Sequence, residues 1–237
     1  IRTALQGQQG DRRLRLGIAG GEWKKMMADA TARTRFASEV KKIIEQYDFD
    51  GVDFDFEWPA NASEYNNYSA TVIQMRSTLG KYVYFTASLH PVSFKISPEA
   101  IDALDFISYQ CYGPAVMRFP YEQFVKDGEA AVAYGIPKNK LVMGVPFYGS
   151  TGSLIAAYCD FVNDGLATTN EDTYTYKGNT YTFNSIETIR KKARYVCEED
   201  YAGIMSWDLA TDIDITNNKS LLKVIKEEFE YYANPTE

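Results

Sequence analysis

Phe49-Asp50-Gly51-Val52-Asp53-Phe54-Asp55-Phe56-Glu57-Trp58-Pro59 is the stretch of this 237-residue chain on which its reading turns. Side chains alternate across a strand with a period of two, so Asp53, Asp55 and Glu57 point to one side and Val52, Phe54, Phe56 and Trp58 to the other. A solvated antiparallel strand could show the same alternation, with acids in water and aromatics in a core. The flanking sequence argues against that. Short apolar segments at Arg13–Ala19, Gly51–Glu57, Tyr82–Leu89, Asp105–Tyr112, Leu141–Phe147 and Gly203–Trp207 read as strands. Between and after them, Ala32–Tyr47, Ser63–Leu79, Tyr121–Tyr134, Ser185–Glu199 and Lys219–Tyr231 read as helices, with one brief helical turn at Pro98–Leu104. Ser63 is the expected N-cap of the second helix, and Asn184 or Ser185 that of the fourth.

This alternation is the signature of βαβ units and a parallel sheet, so the predicted class is α/β. Strands in such a sheet are covered on both faces, and the acid face then looks into a barrel interior or a crevice. Carboxylates spaced about 6–7 Å along a strand repel, and burial disfavours their charged forms, so at least one of the three is expected to hold a proton near neutrality. A carboxyl in that state can serve as a general acid.

Composition removes other chemistries. The chain has one histidine, His90, which excludes any site built on two imidazoles, the H-E-x-x-H zinc pattern included. A Ser-His-Asp triad would have to use that residue, and no G-x-S-x-G elbow accompanies it. No metal or cofactor is expected. A formal charge of −7 argues against binding to phosphate backbones, so nucleic acid is not an expected partner. No apolar run approaches the roughly 18 residues of a membrane span. Cys111, Cys159 and Cys197 are odd in number and widely spaced, which describes neither a disulfide framework nor a metal cluster. Three N-x-S sequons, at Asn61, Asn67 and Asn218, matter only in a glycosylating secretory route.

No linker, repeat or low-complexity tract divides the chain, and residues 1–237 are read as a single domain. The longest irregular stretch, 149–182, contains a hairpin formed by Tyr174–Lys177 and Thr180–Phe183 with its turn at Gly178-Asn179. Up to Ala202 the sequence has room only for that hairpin and one helix. A loop of this length that follows a barrel strand belongs on the face where barrel active sites are built.

The run from Asp50 to Glu57 matches in full the D-G-x-D-x-D-x-E signature of the family 18 glycoside hydrolases, the chitinases and endo-β-N-acetylglucosaminidases, and the chain resembles that family over nearly its whole length. Leu16–Trp23, L-G-I-A-G-G-E-W, is similar to the Gly-Gly-Trp end of the family's third barrel strand, with Gly21 in it. Val142–Gly149, V-M-G-V-P-F-Y-G, resembles the seventh strand, with Tyr148 near its end. Gly203–Asp208, G-I-M-S-W-D, resembles the eighth, whose Trp207 would floor the sugar site. Gln110-Cys111-Tyr112 is similar to the end of the sixth strand, and strand parity sets Gln110 and Tyr112 on one face.

The resemblance implies a (β/α)8 TIM barrel whose visible strands are the third to the eighth, with the first two β/α units absent from this chain. It also implies substrate-assisted hydrolysis of N-acetylglucosamine-containing oligo- or polysaccharides. Glu57 would be the acid and base, Asp55 would orient the 2-acetamido group, and Asp53 would adjust the proton sharing of Asp55. Tyr112 would hydrogen-bond the acetamido oxygen, while Trp207, Gln110, Tyr148 and Gly21 would contact substrate. Asp50, at the strand's start, is read as structural. Ile18 stands at the family's S-x-G-G serine, a departure that bears on the hydrogen bonding around Asp53. Gly113 stands where many chitinases place Asp, and the large insertion between the last two strands is missing. Chitin-type hydrolysis is the favoured reading, with action on N-glycan chitobiose cores as the alternative. A non-catalytic lectin fits less well because Glu57 is present, and a barrel with a merely charged strand is the fourth reading. A secreted, cell-surface or periplasmic location follows from the substrate class alone.

Overall fold

The computed structural model describes residues 12–20, 22–166 and 170–234. The chain divides into two compact units, Ile1–Ile107 and Ser108–Glu237. The first unit holds β1 (Arg15–Gly20), α1 (Lys24–Ala28), α2 (Ala30–Tyr47), β2 (Gly51–Phe56), α3 (Ala62–Leu79), β3 (Tyr84–Leu89) and α4 (Pro98–Ala103). The strand β4 (Phe106–Tyr109) runs across the division. The second unit holds α5 (Tyr121–Tyr134), β5 (Leu141–Pro146), β6 (Tyr148–Ser150), β7 (Ile155–Ala157), α6 (Tyr158–Asn163), β8 (Thr173–Tyr176), β9 (Asn179–Thr182), α7 (Ile186–Glu198), β10 (Gly203–Trp207) and α8 (Leu221–Ala233).

In the first unit β1, β2 and β3 are parallel neighbours, in register at Gly17, Asp53 and Thr86 and again at Ala19, Asp55 and Ser88. Gly51 makes this pairing possible. A Cβ there would lie 1.9 Å from the Tyr84 carbonyl oxygen, so only glycine lets β2 come this close to β3. Asp50, one residue earlier, accepts from the Leu14 N–H at 2.6 Å and ties the start of β2 to the chain entering β1. On the apolar face Val52, Phe54 and Phe56 are fully buried. Phe54 stacks on Tyr68 of α3 at 5.2 Å and meets the Trp23 and Phe36 rings at 6.2 and 5.9 Å.

Helix ends follow ordinary capping chemistry. The N-cap of α3 is Asn61, not Ser63. Asn61 accepts from the Glu64 N–H while the Glu64 carboxylate accepts from Ala60 N–H, so the pair closes the first turn two residues earlier than expected. Ser185 caps α7 and Ser220 caps α8.

In the second unit β5 and β10 are parallel, with Trp207 opposite Pro146. The stretch after β5 holds more structure than one hairpin. Strands β6 and β7 and the short helix α6 precede it, and β7-β6-β9-β8 form a four-stranded antiparallel sheet. Phe161 of α6 anchors it, within 5.4–5.8 Å of the rings of Phe183, Tyr174, Tyr181 and Tyr176. The hairpin turn sits at Lys177-Gly178 rather than Gly178-Asn179. Both turn residues have positive φ, 47° and 77°, as a two-residue turn between right-twisted strands requires.

Behind α7 lies a buried cation. Lys192 is fully enclosed, and its Nζ donates to Phe119 O and to Asn184 Oδ1, both at 2.7 Å. It also stands 4.9 Å from the Phe124 ring centre. Burial pushes its pKa down to about 7. Nearby, Asp127 accepts from Arg118 and Gln123 at 2.8 Å each. Among the described residues no helix is long and apolar enough to cross a membrane.

Candidate active site

The alternation of β2 sorts its residues as the sequence requires. Its aromatic face is buried, Asp53 and Asp55 are half-buried on the opposite face, and Glu57 emerges exposed just past the strand end. Three carboxyl groups thus step from shielded to open along one strand.

Asp53 is the best-held of the three. Ser88 Oγ donates to its Oδ2 at 2.7 Å, Thr86 Oγ1 donates to its Oδ1, and Arg15 Nη1 reaches the same Oδ1 at 3.4 Å. The register of β1, β2 and β3 puts all four residues on one face. Asp55 differs. Its Oδ1 is buried without a hydrogen-bond partner, and its pKa is pushed up to about 7. Burial is the main cause, followed by the charges of Glu57 and Asp53 and a hydrogen bond with Glu57. A like-charge neighbour and a low-dielectric setting both favour the neutral carboxyl, so Asp55 is the group that keeps a proton near neutrality.

The chain leaving β2 is held firmly. Trp58 stacks on His90 at 4.8 Å, and the His90 Nδ1 accepts from the Val92 N–H at 3.2 Å. Tyr65 donates to Ser93, and Ser93 to the Pro59 carbonyl, at 3.1 and 3.2 Å. The single histidine is therefore buried beneath the residue after Glu57 and acts there as an acceptor.

The second unit assembles its own residues. The strand expected to run to Tyr112 ends at Tyr109, where the Cys111 N–H turns back to the Tyr109 carbonyl at 2.9 Å. Strand parity therefore does not place Gln110 and Tyr112. Both are buried, as is Cys111. The Tyr112 ring lies over Gly144 of β5, where a Cβ would come within 2.8 Å of it, and its hydroxyl is 3.5 Å from the Met205 sulfur. Tyr148 meets the Tyr112 ring edge-on at 6.4 Å and the Phe119 ring at 5.6 Å. Burial pushes the Tyr148 hydroxyl up to about 12, so it remains a donor throughout the neutral range. Trp207, at the carboxyl end of β10, is 57% exposed, an unusual state for so large an apolar ring. Gly21 lies outside the described residues.

Thr86, Ser88 and Arg15 were not among the residues singled out from the sequence. The alternation of Thr86 and Ser88 in Y-F-T-A-S-L was a readable signal of a hydroxyl-bearing face. The role of Arg15 needed the strand register. The cysteines are unbridged, and among the described residues no group of three or more His, Cys, Asp or Glu is placed to hold a metal ion.

Similarity to known proteins runs the length of both units. The probable chitinase 2 of Drosophila melanogaster is 23% identical over 297 residues, covering 92% of this chain and 60% of that protein, so the chain spans about three fifths of that relative. A family 18 chitinase from the chitin utilization locus of Flavobacterium johnsoniae superposes with a TM-score of 0.76 at 26% identity, over 91% of this chain and 74% of that one. A variant chitinase from Cycas revoluta, solved in complex with (GlcNAc)4, gives a TM-score of 0.75 at 19% identity, over 91% and 80% of the two chains. The fold is accordingly the TIM-barrel fold of these chitinases. Residues 4–212 match the profile of Glycosyl hydrolases family 18, and with most of its length inside that match the chain belongs to this family.

Proposed function

We propose that the protein is a retaining glycoside hydrolase that cleaves β-1,4 linkages in N-acetylglucosamine polymers or oligomers. One observation carries the reading: Glu57 stands exposed at the carboxyl end of β2, hydrogen-bonded to Asp55, whose proton is retained up to about pH 7. A proton donor open to substrate, backed by a neutral carboxyl, is what protonation of a glycosidic oxygen needs.

In this mechanism Glu57 gives its proton to the glycosidic oxygen as the bond to the anomeric carbon breaks. The carbonyl oxygen of the substrate's own 2-acetamido group attacks that carbon and forms an oxazolinium ion. Asp55 orients the acetamido N–H and, by passing its proton towards Asp53, stabilises the positive charge that grows there. Asp53 remains its electrostatic neighbour. Water then attacks the anomeric carbon, Glu57 takes its proton, and the configuration is retained. Tyr112 hydrogen-bonds the acetamido oxygen, and Trp207 offers its ring to the apolar face of a sugar. Gln110, Tyr148 and Gly21 contribute further sugar contacts. A location outside the cytoplasm suits a polymer substrate. The family membership and the chitinases among its relatives support a chitin-type glycoside hydrolase.

The test is a digest of chito-oligosaccharides beside a high-mannose glycopeptide, with products sized by mass. Shortened chito-oligosaccharides are expected, together with inhibition by a thiazoline analogue of the oxazolinium ion. Cleavage of the glycopeptide alone would move the activity to N-glycan cores. Oligomer binding without cleavage of either substrate would make the protein a lectin.

A further inference from the structure

We propose that Arg15 is a positioning residue of the catalytic cluster, acting through Asp53 and Thr86 to offset the negative field that Asp53 exerts on Asp55. The inference rests on the mechanism proposed for Asp55 and adds a residue to it.

The geometry is a closed three-way contact. Arg15 Nη1 donates to Thr86 Oγ1 and reaches Asp53 Oδ1 at 3.4 Å, while Thr86 Oγ1 spends its own proton on the same Asp53 oxygen. The hydroxyl is thereby polarised from one side by the guanidinium and from the other by the carboxylate. The Arg15 and Asp53 side chains are only 27% and 18% exposed, so this pair is screened less than a surface ion pair. The guanidinium is fixed from above as well, with its carbon 5.0 Å from the centre of the Phe106 ring. Arg15 stands in register with Gly51 on β1, and Gly17 faces Asp53 with no side chain to intervene.

Other titratable and charged groups lie close to the cluster. Asp55 and Glu57 share the strand. Tyr68 of α3 is fully buried, couples to Asp53 and Asp55, and is held protonated with its hydroxyl on the Phe54 carbonyl. Arg13 is engaged on the Tyr84 ring at 4.1 Å. Arg15 touches Asp53, and the sign of its effect follows. It partly cancels the negative charge beside Asp55, so taking it away leaves Asp55 in a more negative field and makes its proton harder to lose.

The experiment is a 13C-carboxyl NMR titration of the full chain labelled at aspartate, with the Asp55 resonance assigned by its loss in Asp55→Asn. Replacing Arg15 with Met should raise the Asp55 midpoint by about half a unit or more, since opposite charges at this range shift carboxyls by about 1–3 units and Asp55 feels the charge one neighbour removed. Arg15→Lys should return the midpoint most of the way, because it restores the charge without the forked contact. Thr86→Val, which removes the shared hydroxyl and keeps the shape, provides a second perturbation should Arg15→Met fail to fold, and should also move the midpoint. On chito-oligosaccharides the alkaline limb of kcat should follow the same shift. An Asp55 midpoint unmoved in both Arg15→Met and Thr86→Val would overturn the inference. Because the titration needs no turnover, a wild-type chain that titrates as described but cleaves nothing would defeat the proposed function and leave the role of Arg15 standing.

Discussion

Burial pushes the Asp55 carboxyl up to about 7 and the Lys192 ammonium down to about 7, but the two groups are held very differently. Lys192 is fully enclosed with two oxygen acceptors at 2.7 Å, and its neutral form is favoured because burial penalises the ammonium. Asp55 is only half-buried, stands among like charges and keeps one oxygen without a partner. Burial is the largest cause of both shifts, but at Asp55 the neighbouring carboxylates add to it and one oxygen is left without a partner, whereas the Lys192 ammonium has its acceptors in place. The difference teaches that the shift alone does not identify a catalytic group; the state of its hydrogen bonds does.

The largest effect that could break this contrast is at Glu57. Glu57→Gln removes the proton donor and should lower turnover by about 10²–10⁴-fold while oligomer binding is retained, as measured by hydrolysis rate and calorimetry. Asp55→Asn should follow, with a loss of about 10²-fold and the disappearance of the alkaline limb of kcat near pH 7. Substantial activity in either variant would reduce the acid strand to a charged surface.

Stability should separate the two groups by sign. The Asp55 carboxyl has a raised folded-state pKa, so its contribution is fully present below its unfolded value of 3.8 and is lost as pH rises through about 7. Asp55→Asn should therefore gain on the wild type as pH climbs from 4 to above 7 in denaturant titrations. Lys192 has a depressed folded-state pKa, and the wild type gains stability as pH rises from about 7 towards the unfolded value of 10.5. Lys192→Met also strands the Asn184 carbonyl oxygen, a cost of about 1–3 kcal/mol, and its disadvantage should widen between pH 7 and 10. Parallel pH trends for the two variants would dissolve the comparison. The smallest effect is expected for Ser88→Ala, which removes one of the Asp53 contacts and should cost about 1 kcal/mol in stability or less, with a modest fall in rate.

What the sequence disclosed follows the range of the forces involved. The acid strand, the long helices and β10 are legible because alternation and helical periodicity are local. The β7-β6-β9-β8 sheet escapes because β6 and β7 are three residues each, too short for a period, and their pairing brings Ser150 to Thr182 across the intervening chain. The hairpin turn is displaced by one residue because Lys177-Gly178 and Gly178-Asn179 are both chemically suited to it. The Tyr174 to Tyr181 and Tyr176 to Asn179 pairings decide between them. Asn61 could have been recognised as a cap from Glu64 three residues on. Around the site, the three acids were read from one strand, but the Arg15, Thr86 and Ser88 contacts depend on the register of three strands, which a linear pattern does not carry.

The exposure of Trp207 has a practical consequence. The protein has three tryptophans, and the indole N–H groups of Trp23 and Trp58 are shielded from solvent. Trp207, with more than half of its surface in water, is the one whose fluorescence a sugar stacked on it would shift to shorter wavelength, so the proposed stacking has an intrinsic optical readout.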